Sequence, residues 1–558
     1  MRSDLPAALG RLRDDLQALR LGLVLPGAEE ARRTRDDLVG QVDDYLLPRL
    51  AQMDAPALIV VGGSTGAGKS TLLNSLVGSV VSPAGVLRPT TRAPVLAFHP
   101  DDLEWFEGTR ILPGLPRASG GEQPGTLQLA PTEGLPQGLA LLDSPDIDSV
   151  LAENRALAGQ LLAAADGWLF VTTAARYADA VPWGFLRAAR DRGTALSLVL
   201  NRVPEDAGRE VPAHLRRMLA DEGLPEAEML VIPETPLADG LLPPAALAPA
   251  RAWLDDLAAD AQARAALVRR TLRGALASLP ARAAVVEAAA VQQLSAAAEL
   301  RAEADAAYAA AGREVESALR SGSLLRGEVL ARWHEVVGTG DVMRALESRV
   351  GWARDRLKSL LTGKTAADDE LREAVEDRVE AVVRAAAERA AERTARAWRD
   401  RAAGQALLDG ATGLDRASAE LEAAAEEEVR AWQGVVFDLV REEGESKRAT
   451  ARLASLGVNG AGLTVMLAVF AQTGGLTGAE VVVAGGTSAM AQKVLEAIFG
   501  DQAVRTLAAQ AREDLFARVD RLLREDAARF DVLLDGAVPE AESFARLHEA
   551  VAAIRRAA

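Results

Sequence analysis

The sequence predicts two kinds of structure, an α/β domain built on a mostly parallel sheet and a large, elongated all-α helical bundle. Between residues 51 and 245, apolar runs typical of strands alternate with helical patterns, which indicates a sheet covered by helices on both faces. After about residue 245 the strand signal ends, and long alanine-rich segments alternate glutamate with arginine at helical spacing. Helices of that length need one another to bury their apolar stripes, so they predict a bundle.

The order of these patterns gives the expected domain boundaries. Residues 1–50 carry two short amphipathic helices that we expect to join the bundle. Residues 51–245 are expected to form the α/β domain, and residues 246–558 a helical trunk. Glycine and proline are dense between residues 107 and 138, which predicts a long surface loop there. Strands are predicted at 57–61, 93–98, 138–142, 167–173, 195–200 and 229–232.

Composition limits the classes of function. The net charge is −17, which argues against a general nucleic-acid binder, so we expect no nucleic acid among the partners. The chain contains no cysteine, which excludes disulfides, thiolate metal sites and a cysteine nucleophile. A reducing, cytoplasmic location is consistent with that composition.

A glycine-rich segment, Gly63 to Thr71, carries the clearest chemical signal. It follows the apolar run 57–61 and leads into a helical pattern. Its frame is a complete phosphate-binding P-loop, because the glycines let successive N–H groups point at phosphate oxygens while the helix dipole adds attraction. We expect Lys69 to reach the outer phosphates of a nucleoside triphosphate. The predicted nucleotide-binding residues of this loop are Gly63, Ser64, Thr65, Gly66, Ala67, Gly68, Lys69, Ser70 and Thr71.

Three oxygen-bearing side chains are predicted to organise Mg²⁺. The Ser70 hydroxyl ends the P-loop frame, and Asp143 ends an apolar strand as a Walker B aspartate does. Thr91, with Thr90 as second choice, precedes the second predicted strand, where a switch loop closes over the γ-phosphate. An ordinary turn and an ordinary strand end remain the alternatives for the threonine and the aspartate.

The segment after the fifth predicted strand is placed to read the base. Asn201 and Arg202 occupy the position of the Asn/Thr-Lys-x-Asp signature that recognises guanine. Pro204 stands where that signature has its aspartate, whose carboxylate accepts both guanine N–H groups. GTP is therefore the expected nucleotide, and ATP remains an alternative.

These motifs together resemble the GTPase domain of bacterial dynamin-like proteins. The resemblance rests on Gly63 to Thr71, Thr91-Arg92-Ala93-Pro94, Asp143-Ser-Pro and Leu200-Asn-Arg, and on a nucleotide domain flanked by helices. It implies a P-loop GTPase-type fold in residues 51–245. It also implies a large GTPase with Mg²⁺ that dimerises across its nucleotide faces and acts on membranes.

The hypothesis of a GTPase assigns a catalytic set. Thr91 and Thr65 would help to place the attacking water, and Lys69 would neutralise phosphate charge. Arg88 or Arg92 would offer a positive charge to the transition state.

The sequence departs from the family at three places. Asp146 stands where the usual Asp-x-x-Gly pattern has glycine, and Pro204 replaces the aspartate that reads guanine. In the P-loop, Thr65-Gly66 replaces the Gln-Ser pair typical of dynamins. These departures leave the base preference and the rate of hydrolysis open.

Two segments of the helical trunk are candidates for membrane contact. Residues 453–499 are predicted to form a glycine-rich apolar hairpin that either inserts in a membrane or packs tightly in the bundle core. Residues 342–364 combine apolar positions at helical spacing with a surplus of four positive charges. That surplus suits an anionic lipid surface, and a bundle helix with a solvated basic face is the alternative.

The leading hypothesis is a cytoplasmic dynamin-like GTPase, peripheral at the inner face of the cell membrane. GTP binding and hydrolysis would be coupled to self-association through the nucleotide domain and to membrane binding or remodelling. Candidate partners are an anionic membrane surface and a second, paired dynamin-like protein. Two alternatives stay open: a nucleotide-dependent switch or scaffold with little turnover that acts through helical protein–protein contacts, and an ATPase.

Overall fold

The α/β domain is built on a β-sheet that has eight strands among the described residues. In chain order the strands are β1 Ala57–Gly63, β2 Val95–Phe98, β3 Arg117–Ala118, β4 Leu127–Pro131, β5 Leu139–Asp143, β6 Gly167–Thr173, β7 Ala195–Val203 and β8 Glu228–Pro233. Their order in the sheet is β3-β4-β2-β5-β1-β6-β7-β8. Only β2 and β5 pair in the antiparallel sense within this sheet, so the prediction of a mostly parallel sheet is confirmed.

The structure is a computed structural model that describes residues 4–83, 93–108, 111–112, 115–118, 125–148, 152–259, 261–320, 365–444, 466, 469 and 501–557. The chain divides into two units. Unit 1 comprises Met1–Leu21, Pro26–Val291 and Pro539–Ala558, and unit 2 comprises Gly22–Leu25 and Gln292–Val538.

The other long elements among the described residues are helices. The helices are α1 Leu5–Ala18, α2 Ala28–Gln41, α3 Leu47–Ala51, α4 Lys69–Val77, α5 Leu103–Glu107, α6 Ala152–Ala163, α7 Ala180–Arg192, α8 Glu210–Asp221, α9 Pro244–Ala259, α10 Ala261–Arg320, α11 Thr365–Arg399, α12 Ala402–Asp409, α13 Glu420–Gly444, α14 Asp501–Ala537 and α15 Ala541–Ala557. A π-helical turn, Val42–Leu46, joins α2 to α3. The helix α10 belongs to both units, since the boundary falls within it.

Both faces of the sheet are covered, as the all-apolar strands require. Along β1, Leu58 and Val60 pack on one face with residues of α5, α6, α7 and α8. Ile59 and Val61 point to the other face and pack with residues of α4, α9 and the first turns of α10. This alternation is the period of two expected for a strand, and it leaves β1 fully buried at the centre of the sheet.

The register of the central strands brings four strand ends to one edge of the sheet. Val61 of β1 lies opposite Asp143 of β5, and Gly63 lies opposite Val171 of β6. On the far side of β6, Thr173 pairs with Asn201 of β7. Ligands of open α/β sheets bind outside the carboxyl ends of the strands, so this edge is where a site is expected.

One part of the predicted organisation is wrong. The stretch 107–138, predicted to be a long surface loop, contains β3 and β4. β4 pairs in parallel with β2, from Val95 opposite Gln128 to Phe98 opposite Pro131. The glycine and proline residues around β4 indicate a loop rather than a strand. β4 forms nevertheless, because its stability comes from pairing with β2 rather than from local propensity.

A separate core within unit 1 joins the amino-terminal helices to α15. Leu5, Leu9, Leu12 and Leu16 recur at helical spacing on α1 and are at most 1% exposed. They pack in one cluster with residues of α2, α3, α10 and α15.

A buried ion pair connects α3 to the sheet. Arg49 Nη2 lies 2.8 Å from Asp166 Oδ2, and the two side chains are 7% and 3% exposed. The same carboxylate oxygen accepts from the backbone N–H of Leu58 in β1 at 2.8 Å. Asp166, just before β6, therefore satisfies one donor from the helix and one from the central strand.

Unit 2 is built from long helices, which confirms the prediction of a helical bundle. Its core contains Trp398 on α11, Trp432 on α13 and Phe530 on α14, each fully buried. The indole N–H of Trp398 donates to the carbonyl oxygen of Leu300 on α10 at 3.0 Å. The indole N–H of Trp432 donates to that of Ala511 on α14 at 2.7 Å. Each buried donor is thus paired across two helices.

Both predicted membrane segments lie wholly or mostly outside the described residues. The basic segment 342–364 is outside them, and the hairpin 453–499 is outside except for Met466 and Val469, which are buried in the core of unit 2. Of the described helices, α10 alone is long and apolar enough to cross a membrane by length and composition. Core helices of soluble proteins meet the same criterion, so this helix defines no membrane topology.

Candidate functional site

The loop between β1 and α4 has the backbone of a P-loop. Gly63, Gly66 and Gly68 have φ angles of +148°, +74° and +95°, which side-chain-bearing residues rarely adopt. A Cβ atom on Gly63 would lie 2.0 Å from the carbonyl oxygen of Val171 in β6, so only glycine fits there. Gly68 is the N-cap of α4, and the loop therefore ends at a helix N-terminus, whose dipole favours anions.

Lys69 begins α4 and folds back over the loop. Its side chain is 5% exposed, and its Nζ donates to the carbonyl oxygens of Gly63 at 3.1 Å and Ser64 at 3.2 Å. The same ammonium group forms an ion pair with the carboxylate of Asp146. Lys69 is thus held at the loop as a buried positive charge that already has an anionic partner.

Ser70 and Asp143 meet at the carboxyl end of β5. Ser70 Oγ donates to Asp143 Oδ2 at 2.5 Å, and Ser82 Oγ donates to the same oxygen at 2.6 Å. Asp143 is fully buried, and its second carboxylate oxygen, Oδ1, has no hydrogen-bond partner among the described residues. Burial raises the pKa of Asp143, and the hydrogen bonds from the two serines oppose that rise.

This donor set fits a magnesium ion. Mg²⁺ prefers hard oxygen ligands and is commonly held by one or two protein groups together with phosphate oxygens and water. The Ser70 hydroxyl and the unpartnered, buried Oδ1 of Asp143 are such groups. A cation there would also compensate the cost of burying the Asp143 charge.

The remaining loop residues have distinct environments. Ser64 is fully buried, and its hydroxyl has no hydrogen-bond partner among the described residues. Thr65 donates to Asp148 Oδ1 from its backbone N–H and from its Oγ1, both at 2.6 Å. Thr71 lies within α4, where its carbonyl oxygen accepts from the hydroxyl of Ser75 at 2.7 Å. The contact of Thr71 is therefore within its own helix rather than at the loop.

Asn201 contacts the P-loop. Its Nδ2 donates to the carbonyl oxygen of Ala67 at 2.8 Å, and its Oδ1 accepts from the backbone N–H of Arg202 at 2.9 Å. Asn201 is 5% exposed, whereas Arg202 is exposed and has a left-handed φ of +52° beside a register shift in β7. In this structure the two predicted base-reading residues therefore occupy different environments, one fixed to the loop and one exposed at the strand end.

Sequence reasoning missed three residues of this site: Ser82, Asp148 and Arg176. Arg176 Nη2 donates to Asp148 Oδ2 at 2.8 Å, and its Nη1 donates to the carbonyl oxygen of Thr65 at 3.0 Å. Burial alone would raise the pKa of Asp148, but the hydrogen bonds from Thr65 and Arg176 outweigh burial, and that pKa lies below its ordinary value. The available signal was position, because Arg176 and Asp148 closely follow β6 and β5, the strands on either side of β1.

The predicted switch residues are not part of this geometry. Thr91, its alternative Thr90, and Arg88 and Arg92 lie outside the described residues. Their expected roles stay predictions.

The fold and the site together define an α/β domain with a P-loop and a helical bundle. Over the whole chain, the structure is similar to two solved structures of an oligomerised bacterial dynamin pair, described as a mechanism for long-range sensing and tethering of membranes. Both are 10% identical to this chain. The match to the first covers 100% of this chain and 96% of the chain in that structure, with a TM-score of 0.43. The other covers 99% and 95%, with a TM-score of 0.42.

A structure of Era in complex with MgGDPNP and part of 16S ribosomal RNA is similar over a smaller region. It is 22% identical, covers 32% of this chain and 51% of its own, and has a TM-score of 0.21. No protein-family model and no curated protein matches the sequence. Because all three TM-scores are below 0.5, we take the function from the chain's own residues.

Proposed function

We propose that this chain is a dynamin-like GTPase that binds and hydrolyses GTP with Mg²⁺ and couples the reaction to self-association and membrane binding. One observation carries the nucleotide part of this proposal. A P-loop with a buried lysine lies beside a buried aspartate that has one unpartnered carboxylate oxygen among the described residues. Phosphate and Mg²⁺ are the pair of ligands that this combination of donors and acceptors suits.

Each group has a separate role in the proposed reaction. The loop amides from Gly63 to Gly68 and the Lys69 ammonium bind and orient the phosphates. Ser70 and Asp143 would hold Mg²⁺, which when bound neutralises charge on the phosphate oxygens. The hydroxyl and amide of Thr65 would face the outer phosphates, and Thr91 remains the predicted residue that helps to place the attacking water.

The preference for one base depends on the residues at the end of β7. Asn201 lies at the expected position but donates to Ala67, and Pro204 replaces the aspartate that would read guanine. We propose GTP as the substrate, with ATP as the competitor to be tested. A direct comparison of the two nucleotides decides between them, because a site that hydrogen-bonds one base rejects the other by a large factor.

The membrane part of the proposal rests on the sequence. The basic segment 342–364 and the apolar hairpin 453–499 have the composition of a lipid-binding surface and of a hairpin that enters a bilayer. The proposed location is the cytoplasm, peripheral to the inner face of the cell membrane. Proposed partners are a second copy bound through the nucleotide domain, an anionic membrane and a second, paired dynamin-like protein.

Nucleotide binding is tested with the full chain and a fluorescent GTP analogue in the presence of Mg²⁺. Unlabelled GTP should displace the analogue at lower concentration than ATP does. Lys69→Ala should abolish binding, whereas Arg216→Ala, which removes an exposed cation on α8, should bind as the parent chain does. Equal binding by the Lys69→Ala variant would overturn the assignment of the site.

Coupling to membranes is tested by phosphate release and cosedimentation with vesicles. We expect anionic vesicles, but not neutral ones, to bind the chain and to stimulate release. Replacing Arg354 and Arg356 with glutamate should weaken both effects. If the vesicles neither bind the chain nor alter release, the membrane part of the proposal is wrong while nucleotide binding is unaffected.

A switch or scaffold with little turnover is the second candidate. The ion pair between Lys69 and Asp146 favours it, because a carboxylate at the position usually held by glycine opposes a transferring phosphoryl group. This candidate predicts nucleotide binding and nucleotide-dependent self-association without phosphate release under any membrane condition. Single-turnover hydrolysis at saturating enzyme separates it from the GTPase.

A further inference from the structure

The segment that follows β5 lies against the P-loop. Ile147 is fully buried in the core on one face of the sheet, and its N–H donates to the carbonyl oxygen of Gly63 at 3.4 Å. The residues on either side of Ile147 are both acidic. Asp146 pairs with the ammonium group of Lys69, and Asp148 accepts two hydrogen bonds from Thr65. Two carboxylates of one short segment thus hold two different donors of the loop.

Arg176 completes the donor set around Asp148. Its Nη2 lies 2.8 Å from Asp148 Oδ2, while the Thr65 amide and hydroxyl lie 2.6 Å from Oδ1. The guanidinium is fixed from two other sides, by the Thr65 carbonyl oxygen at 3.0 Å and by Asp179 Oδ2 at 2.8 Å from its Nε. One amide, one hydroxyl and one guanidinium therefore converge on a single carboxylate.

These are the donors that bind phosphate in proteins. Backbone amides of a P-loop and a forked guanidinium bind the adjacent oxygens of a phosphate as they bind those of a carboxylate. Lys69, which a P-loop directs to the outer phosphates, is at present paired with Asp146. A nucleotide at the loop and the two carboxylates would need the same donors, so the two arrangements exclude each other.

We propose that Arg176 is a phosphate-binding residue of the nucleotide site. Asp148 occupies the position of the outer phosphate and competes with that phosphate for Arg176 and the Thr65 amide. This inference rests on the proposed function, because it assumes that the P-loop binds a nucleoside triphosphate. The outer phosphate displaces Asp148 and takes over the hydrogen bonds of Arg176 and Thr65. Asp148 therefore lowers the affinity for a nucleoside triphosphate, and Arg176 raises that affinity once Asp148 has been displaced.

The test uses the full chain, Mg²⁺ and the β,γ-imido analogues of GTP and ATP as probes. Asp148→Asn keeps the shape of the side chain and removes its charge, so it should bind the preferred analogue about tenfold more tightly, because the three hydrogen bonds that hold the carboxylate are weaker once its negative charge is gone. Asp148→Ser should show the same direction. In the Asp148→Asn background, adding Arg176→Ala should weaken binding about tenfold, and Arg176→Lys should recover only part of the loss because it lacks the fork.

Asp179→Asn is the matched control. Asp179 also binds Arg176, at its Nε, but makes no hydrogen bond to the P-loop among the described contacts. If releasing Arg176 alone were sufficient, Asp179→Asn would tighten binding as Asp148→Asn does, and competition at the loop would be wrong. We expect affinity within about twofold of the parent chain for this variant.

The outcomes separate this inference from the proposed function. If the parent chain binds the analogue, Lys69→Ala does not, and Asp148→Asn and Asp148→Ser leave affinity unchanged or lower, the competition is wrong and the nucleotide site stands. If Asp148→Asn and its Arg176→Ala double variant bind equally, Arg176 is not a phosphate-binding residue. If neither the parent chain nor the Asp148 variants bind either analogue, both the site and this inference fall together.

Discussion

The side-chain amide of Asn201 donates to the carbonyl oxygen of Ala67 at 2.8 Å, and this bond ties the end of β7 to the middle of the P-loop. The contact is close, since a Cβ atom on Gly68 would lie 2.6 Å from the same amide nitrogen. Asn201 is buried, so its removal leaves the Ala67 carbonyl without this partner. The residue thus fixes the conformation of the loop whatever base is bound.

Asn201→Ala should therefore weaken GTP and ATP binding by similar factors. We expect a cost of about 1–3 kcal/mol, the usual cost of leaving a buried polar group unsatisfied. Competition titrations with both nucleotides measure the effect, and Arg216→Ala serves as the exposed control. A loss confined to GTP would contradict a loop-fixing role and would favour base recognition by Asn201.

Asp143→Asn tests the proposed metal site. The substitution keeps an acceptor for the Ser70 and Ser82 hydroxyls but removes the negative charge that a cation needs. In the parent chain, adding Mg²⁺ should raise triphosphate affinity, and chelation should lower it. In the variant this difference should shrink at least about tenfold, the range in which metal sites respond to altered ligand environments. An unchanged response to Mg²⁺ would place the metal elsewhere.

Arg49→Ala should destabilise the start of β1 and β6. It leaves the buried carboxylate of Asp166 without its cation, which typically costs about 3–5 kcal/mol. Hydrogen exchange of β1 and β6 amides measures the loss locally, and the helices of unit 2 provide the internal control. Arg49→Met combined with Asp166→Asn should lose less, because the side-chain amide introduced by the second substitution keeps an acceptor for the Leu58 N–H without a buried charge. Exchange rates unchanged by Arg49→Ala would show that the pair contributes as little as a surface ion pair.

Low pH should lower the stability of unit 2, because Glu428 then loses its negative charge. Burial alone would raise the pKa of Glu428, but hydrogen bonds from Arg518 at 2.6 Å and Arg521 at 2.5 Å outweigh it, and the pKa is lowered from 4.5. A lowered folded-state pKa means that the charged form stabilises the fold. That contribution is present above the unfolded-state value and is lost as the pH falls through the folded-state value.

The measurement is the thermal midpoint of unit 2 between about pH 6 and about pH 3. The parent chain should lose more stability over this range than Glu428→Gln does, because the variant has no charge to lose. Glu427→Gln, an exposed neighbour on the same helix, should follow the parent chain. Parallel curves for Glu428→Gln and the parent chain would contradict the contribution of this ion pair.

Six of the eight described strands could be predicted, because apolar runs of this kind form buried parallel strands. β3 and β4 could not be predicted, since β3 has only two residues, and β4 is short, ends at Pro131 and owes its place to pairing with β2. Local motifs in the sequence indicate the P-loop and Asp143, because the chemistry of phosphate and Mg²⁺ fixes the spacing of such motifs, and the binding roles of these residues stay predictions. No local motif indicates Asp148 and Arg176. They lie 83 and 111 positions from Thr65 in the sequence, and only the order of the strands in the sheet brings them close to it.

Because α1 packs with α15, α1 reaches its final packing only after α15 has been synthesised. Arg546 on α15 bonds to Asp15 on α1 across 531 residues of sequence, and the leucines of α1 share a core with Leu547, Val551 and Ile554. The ribosome therefore makes α1 long before it makes α15. During that interval this part of the apolar face has no final cover, although the sheet of unit 1 can already form. The leucines of α1 therefore lack part of their final cover until α15 emerges and completes their core.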